Sequence, residues 1–341
     1  MLVDIQNLDK HPVAETNSMA NQVPVIDITD LLSDSSSEPA RKAVDEIAFA
    51  CQTWGFFQVV NHGISTDLID DVWHQTRRMF SLPNKDKLSI LRTKDNPWGY
   101  YNNELTKNQR DKKEVFDFTR EGVDTIYGRT NRWPAGLSTF KSTMGNYYDA
   151  CSTLSLKLLE AFCIGLDLPA DYLSGDFTNN HTGFVRLNYY PVKDPMANSE
   201  IEHQLETNLG VHHHTDAGAL TVLLQDRVGG LQVYRNDHWH NISPVTGAML
   251  INTGDMMQVW SNDVYQAAIH RVLAMEAVDR FSIPFFFNPA ASCKVSPLPS
   301  VIGKQHPSHY HEIEWASFRG KRTDGDYSDY GAEVQISQFR K

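Results

Sequence analysis

The 341-residue sequence predicts an α+β fold, with a helical N-terminal half packed on a β-rich C-terminal half of sandwich or jelly-roll type. Three observations carry this. Apolar residues recur at helical spacing in three segments before residue 167. From about Phe184 the hydrophobic period changes to two. Short strand-like runs then follow closely, punctuated by the turn-favouring pairs Gly229-Gly230, Asn236-Asp237, Thr246-Gly247 and Thr253-Gly254.

In chain order, residues 1–22 are polar and aperiodic and read as a loose tail. VPVIDIT (23–29) has the β-branched character of a short strand. SDSSSEPARKAVDEIAFACQTWG reads as a helix. Its serines offer caps, Pro39 suits the first turn, Val44, Ile47, Ala48 and Cys51 recur at helical spacing, and Gly55 ends it. FFQVVNHGI (56–64) returns to strand. STDLIDDVWHQTRRMFSLP begins on Ser/Thr caps and lays Leu68, Ile69, Val72, Trp73, Thr76, Met79 and Phe80 on one stripe of a second helix. Residues 84–135 are polar, aromatic and irregular, and read as a long loop of the kind that serves a site. Leu137 to Leu166 is a long helical pattern stopped by LDLPADYL. Strands are predicted at 184–190, 219–225, 231–235, 238–242, 248–252, 256–260, 265–275 and 280–287.

Composition bounds the function. With 41% hydrophobic and 11% aromatic residues the chain is globular and long enough for a sizeable core. No run is long and apolar enough to cross a bilayer, so no membrane partner is expected. A net charge of −11 without a long basic block argues against nucleic acid as a partner. The first residues lack both a basic-then-apolar signal and an Arg-rich transit pattern, so a cytoplasmic location is expected. Cys51, Cys151, Cys163 and Cys293 form no C-x-x-C pair and are expected as reduced core thiols. A small-molecule substrate and a monomeric state complete the expectation.

GVHHHTDAGALTVLLQD (210–226) holds three adjacent histidines two residues before Asp216. In a strand, alternate side chains share a face, so His214 faces with Asp216 and His212 while His213 points away. His-x-Asp supplies one nitrogen and one oxygen ligand and leaves a third to be found on another strand. His240, in NDHWHNI, follows a turn, where it could simply be exposed. His270, in YQAAIHRV, sits inside an apolar strand, where an unpartnered imidazole would be costly, and is the better third ligand. Two histidines and one carboxylate on one side of a metal form the arrangement of non-haem Fe(II) oxygenases, although zinc accepts the same ligands. Arg280 and Ser282, ten and twelve residues after His270, share a strand face. A guanidinium and a hydroxyl suit a distal carboxylate, and an Arg in so apolar a strand also suits a structural ion pair. FVRLNYYP presents Asn188 and Tyr190 on one face, with Arg186 in line.

Together HTD (214–216), HRV (270–272), RFS (280–282), NYYP (188–191), GGLQV (229–233) and WGFFQVVNHGI (54–64) resemble the 2-oxoglutarate- and Fe(II)-dependent dioxygenases of the isopenicillin N synthase-like superfamily, over about residues 23–320. The resemblance implies a double-stranded β-helix, a jelly roll with flanking helices. The helical region would span 23–175, the β-helix domain 176–320 and a C-terminal tail 321–341. It implies His214, Asp216 and His270 as iron ligands. It implies Arg280, Ser282 and Tyr190 on the C5 carboxylate of 2-oxoglutarate, with Asn188 near the metal-bound end. Fe(II), 2-oxoglutarate and O₂ would be required and ascorbate would stimulate. The cosubstrate would leave as succinate and CO₂ while a substrate C–H bond is oxidised by hydroxylation, desaturation, epoxidation or oxidative ring closure. Small natural products of secondary metabolism are the expected substrates.

Phe286, Arg186, Tyr100 and Tyr101 match positions of substrate contacts in the family, and His212 is expected in the same pocket from its strand face. Phe285 and Phe287 should point to the opposite layer, and His213 and His62 are read as structural. Two other classes stay open: an iron oxidase of the same fold that does not use 2-oxoglutarate, and a non-catalytic binding protein. One such oxidase, aminocyclopropane-carboxylate oxidase, also carries Arg-x-Ser, so Arg280 and Ser282 do not separate it. The doubled Tyr189-Tyr190 favours 2-oxoglutarate, and a complete ligand triad argues against a binder.

Overall fold

A computed structural model of the chain describes residues 8, 11–14, 22–106, 109–121, 128–178, 180–193, 209–325 and 334–341. The N-terminal part runs β1 (Val25–Asp27), α1 (Thr29–Ser33), α2 (Arg41–Thr53), β2 (Phe56–Val60), α3 (Thr66–Phe80) and α4 (Asn84–Ser89). Four short strands follow, β3 (Gly99–Tyr101), β4 (Leu105–Thr106), β5 (Gln109–Arg110) and β6 (Glu114–Phe118), and then the long helix α5 (Phe140–Gly165). The rest runs β7 (Phe184–Tyr190), β8 (Leu209–His214), β9 (Leu220–Gln225), β10 (Leu231–Arg235), β11 (His238–Asn241), β12 (Met249–Thr253), α6 (Asp255–Trp260), β13 (His270–Leu273), β14 (Arg280–Phe287) and α7 (Trp315–Gly325).

The larger sheet has the order β1-β2-β12-β9-β14-β7-β6-β3, and the smaller β11-β10-β13-β8. Tyr190, Leu223 and Leu250 of the first meet Val211, Leu231, Val233 and Val272 of the second in a shared inner core. The result is a jelly roll. A second core covers the outer face of the larger sheet, where α2, α3 and α5 pack.

Strand β14 shows how the alternating pattern divides these layers. Phe281, Ile283, Phe285 and Phe287 join the outer core. Arg280, Ser282, Pro284 and Phe286 line an interior cavity. Its pairing with β7 sets Arg280 opposite Tyr190, Ser282 opposite Asn188 and Phe286 opposite Phe184. Both strands therefore deliver their polar residues to one place.

The helices follow their sequence signals. Helix α2 buries Val44, Ile47, Ala48 and Cys51, although Pro39 lies just ahead of it and Ala40 takes the cap position. Gly55 ends it at φ +64°, and a Cβ there would sit 2.3 Å from the carbonyl oxygen of Gln266, so only glycine fits without distortion. The Ser65 hydroxyl accepts the Leu68 N–H to start α3, and Val72, Thr76, Met79 and Phe80 are buried along its stripe. The four cysteines are buried and free. Among the described residues no helix is long and apolar enough to cross a membrane.

Several expectations are corrected. Residues 256–260 are helical, not extended: α6 is a short apolar run buried nearly all round, where hydrophobic period cannot separate helix from strand. The strand predicted over 265–275 is confined to His270–Leu273. Residues 84–135 are not one irregular loop. They contain α4 and β3 to β6, and β3 and β6 extend the larger sheet. All five residues of β6 are buried, its carboxylates included, so no polar face was there to alternate with an apolar one. In the segment read as a loose N-terminal tail, Leu8 is buried, Val13 bridges to Trp239, and the Trp239 indole N–H donates to the Leu8 carbonyl. Residues 1–7, 9–10 and 15–21 lie outside the described residues. The segment read as a C-terminal tail begins inside α7, and Arg340 reaches Asp263 at 2.9 Å, while 326–333 lie outside the described residues.

Candidate active site

Strands β8 and β13 pair with His214 directly opposite His270, which sets their rings 4.3 Å apart. Strand β8 ends at His214, so simple alternation does not deliver Asp216. The chain turns instead, and the first residue of α6 pins the turn: the Asp255 N–H donates to the Asp216 carbonyl at 2.7 Å. Gly254 permits this approach, since a Cβ there would lie 2.3 Å from the Gly218 carbonyl oxygen. Asp216 Oδ1 then stands 3.8 Å from His214 Nε2 and 3.7 Å from His270 Nε2. The donor atoms of all three lie within 4.8 Å of one another, a set able to hold one metal ion.

The outer sides of these groups are tied. His214 Nδ1 meets the His212 carbonyl at 2.8 Å and His270 Nδ1 the Ala268 carbonyl at 3.0 Å. A ring that donates through Nδ1 keeps its Nε2 lone pair for the centre. Asp216 Oδ2 accepts from the Thr221 hydroxyl at 2.5 Å and from Asn252 Nδ2 at 2.8 Å, which leaves Oδ1 free to face inward. Burial, then the neighbouring His270, pushes His214 down to about 3, so the ring is neutral. Burial alone would raise the Asp216 carboxyl. His270, His214 and the bonds from Asn252 and Thr221 outweigh it and hold the group below the usual carboxylate range. Thr221→Val is expected to lower metal affinity by roughly 10–100-fold with the fold intact. An Fe(II) titration checks this, and unchanged affinity would show that the bond to Oδ2 is immaterial.

Beside the triad lies an inner cavity of about 80 Å³, lined on one side by Asn188, Tyr190, Arg280 and Ser282 and on the other by Leu223, Leu231 and Val272. Arg280 is 1% exposed. Its guanidinium stands 4.9 Å from the centre of the Tyr190 ring, and Nη1 donates to the Ser282 hydroxyl at 3.4 Å. Asn188 Nδ2 reaches the same hydroxyl at 3.4 Å. Arg280 Nε has no hydrogen-bond partner among the described residues, and no carboxylate among them pairs with this side chain. The alternative of a structural ion pair is therefore not met there. A buried cation without a counter-ion is costly, and an anionic ligand would relieve it.

An outer cavity of about 120 Å³ shares His214, Asp216, Val211, Lys113, Arg186 and Phe286 with the inner one. Phe286 stacks on Phe184 at 4.7 Å, while Phe285 and Phe287 lie in the outer core as expected. Arg186 faces both cavities, but its guanidinium is engaged by Asp117 at 2.7 Å and Glu104 at 2.8 Å.

The other pocket expectations are corrected. His214 opposes His270 and Val211 opposes Val272, so two residues, His212 and His213, face the single Arg271. This β-bulge resets the alternation: Val211 and His214 face the cavity, while His212 turns to Asp111 at 3.1 Å. His213 is buried and lines neither cavity. His240 is buried against Trp54, apart from the triad. Tyr100 is buried and donates to Glu114 at 2.7 Å, and Tyr101 lies under the Arg92 guanidinium at 4.6 Å. Neither tyrosine lines the inner or the outer cavity.

Sequence reasoning missed Glu104, Lys113 and Arg319 in the outer wall. Glu104 and Lys113 belong to a buried network in which Arg92, Lys113 and Arg186 meet Glu104, Asp111 and Asp117. The only signal for it was charge in a segment that otherwise read as loop. Arg319 arrives from α7, and no spacing relates it to the triad.

Residues 23–136 match the family described as "non-haem dioxygenase in morphine synthesis N-terminal", and residues 181–289 match the "2OG-Fe(II) oxygenase superfamily". The chain is 30% identical to Protein DMR6-LIKE OXYGENASE 1 of Arabidopsis thaliana, over 87% of this chain and 81% of that protein. It is 34% identical to 1-aminocyclopropane-1-carboxylate oxidase 5 of the same plant, over 92% of this chain and 95% of that protein. Its fold is similar to a full-length Neurospora crassa protein solved in complex with alpha-KG and thymine, at a TM-score of 0.78 and 26% identity, over 91% of this chain and 99% of that one.

Proposed function

Since the chain belongs to the 2-oxoglutarate- and Fe(II)-dependent dioxygenases, enzymes that use Fe(II), 2-oxoglutarate and O₂ on small molecules, we propose that His214, Asp216 and His270 hold the iron and that Arg280, Ser282 and Tyr190 hold the far carboxylate of 2-oxoglutarate. Asn188 lies at the same end of the inner cavity and bonds the Ser282 hydroxyl. The reaction is oxidation of a C–H bond in a small natural product, with hydroxylation as the default and desaturation or ring closure as variants. Iron and 2-oxoglutarate together supply the oxidising equivalent from O₂, with succinate and CO₂ as coproducts.

The residues of the chain do the rest. The carbonyls of His212 and Ala268 orient the two imidazoles. Thr221 and Asn252 hold Oδ2 of Asp216, so that one carboxylate oxygen points to the metal. Arg280 fixes the cosubstrate by charge, and Leu223, Leu231 and Val272 exclude water from that cavity. Phe286 lines both cavities and offers a flat apolar surface to a substrate in the outer one.

The buried Arg280, which has no carboxylate partner among the described residues, supports an anionic cosubstrate in the inner cavity, and the Tyr190 ring 4.9 Å from its guanidinium is what favours 2-oxoglutarate over an oxidase of the same fold that shares the Arg-x-Ser pair. An anaerobic visible spectrum tests it. A weak charge-transfer band should appear when 2-oxoglutarate is added to the Fe(II)-loaded protein. Iron binding without the band would favour an oxidase that draws electrons elsewhere. No iron binding would overturn the assignment of the triad.

A further inference from the structure

We propose that the substrate is a monocarboxylic acid whose carboxylate is held by Arg319 and whose planar or apolar body lies along Phe286 toward the triad. This deepens the oxygenase reading above and rests on it. Four basic side chains line the outer cavity: Lys113, Arg186, Arg319 and Arg322. Three of them are committed. Lys113 is held by Glu104 at 2.6 Å and Asp111 at 3.0 Å. Arg186 is held by Asp117 and Glu104. Arg322 donates to the carbonyls of Thr215 at 2.6 Å and Val334 at 3.1 Å, and lies 3.7 Å from Asp255.

The wall behind this cavity is therefore charge-balanced, with Arg92, Lys113 and Arg186 set against Glu104, Asp111 and Asp117. Arg319 is different. It is half-buried, and no carboxylate among the described residues pairs with it. Its guanidinium stands 5.4 Å from the centre of the Phe184 ring. Phe184 stacks on Phe286, and Phe286 shares the cavity with His214 and Asp216. A cation, two stacked rings and the triad thus follow one another along one wall.

That order reads as a ligand shape. A guanidinium without a protein counter-ion grips a carboxylate in a two-bond fork. A ring or flat chain then covers Phe286, and its far end meets the metal centre. A phosphate dianion would call for a second uncommitted cation, which the described lining does not offer. A cationic substrate would meet Arg319, and of the two carboxylates in the lining Glu104 is already shared among Arg92, Lys113 and Arg186 and Asp216 belongs to the triad.

The test uses the full-length Fe(II)-loaded enzyme with 2-oxoglutarate. Succinate release is measured over phenylacetate, 3-phenylpropanoate and 4-phenylbutanoate, and over their primary amides. At least one acid should raise the rate above the substrate-free level, and its amide should not. Arg319→Gln should raise the half-saturating acid concentration by roughly 10–100-fold, the loss expected for a charge-assisted pair, and Arg319→Lys should recover part of it. Persistence of the 2-oxoglutarate charge-transfer band in both variants reports an intact metal centre. Amides as effective as acids, no response to any acid, or an unchanged half-saturating concentration in Arg319→Gln overturns the carboxylate assignment. Absence of the band in the unaltered protein would instead overturn the oxygenase reading itself.

Discussion

Asp216→Ala is expected to abolish turnover and to release iron, because no other described side chain offers an oxygen between the two imidazoles. Removing a group that merely supports a metal ligand costs roughly 10–100-fold in affinity or activity, so loss of the ligand itself should exceed that, by about a thousandfold or more. The substitution also leaves the Thr221 hydroxyl and Asn252 Nδ2 without their shared acceptor. A thermal melt must therefore accompany the assay, so that a folding defect is not read as a chemical one. Asp216→Asn serves as the control, since it keeps an amide oxygen in place and removes the charge. A folded Asp216→Ala protein that still binds Fe(II) and releases succinate would refute the triad.

Arg280→Leu is expected to separate stability from cosubstrate binding. In the protein alone, the Arg280 guanidinium is buried with, among the described residues, the Tyr190 ring and a long bond to Ser282 to compensate it. Desolvating a cation costs several kcal/mol, and a cation–π contact returns about 0.5–2 kcal/mol. Leucine removes that cost, so the melting temperature without cosubstrate should stay the same or rise. Binding of 2-oxoglutarate should collapse. Charge-assisted hydrogen bonds are worth about 1.5–3 kcal/mol each, and losing a fork of two implies at least about a 100-fold rise in Kd. Titration of the charge-transfer band with 2-oxoglutarate measures it. An unchanged Kd would move the carboxylate subsite away from Arg280, and a sharp fall in melting temperature would show that the side chain has a structural partner after all.

Much of this was legible in the sequence because it follows from local geometry. Strand period is covalent, so RFSIPFFF alone divided Arg280, Ser282 and Phe286 from Phe281, Phe285 and Phe287, and the sheets use that division. The stripe of α3, with its Ser65 cap, was equally local. The choice of His270 over His240 rested on burial of an imidazole in an apolar strand, and the fold does pair His270 with His214.

What failed were the inferences that carried alternation through a bulge or past the end of a strand, or that took a charge as lone. His212 was assigned to the cavity by a period of two, and one bulge turned it to Asp111. Asp216 reached the triad by a turn tied to α6, not by its place on a strand. Arg186 looked available for a substrate until β6 and the chain around Glu104 brought its counter-ions. Tyr100 was drawn from a supposed loop into the edge of the larger sheet.

By itself, then, the sequence determined the layers, the three residues that could hold a metal ion and the Arg-x-Ser pair, the layers and the pair by spacing within one strand and the three residues by their type and the cost of burying an unpartnered imidazole. Only the tertiary structure decided which charges are neutralised, where the bulge falls and that Arg319 closes the outer wall. Those depend on pairings between residues as far apart as Asp111 and His212, or Phe184 and Arg319, and spacing along the chain does not encode distance across it.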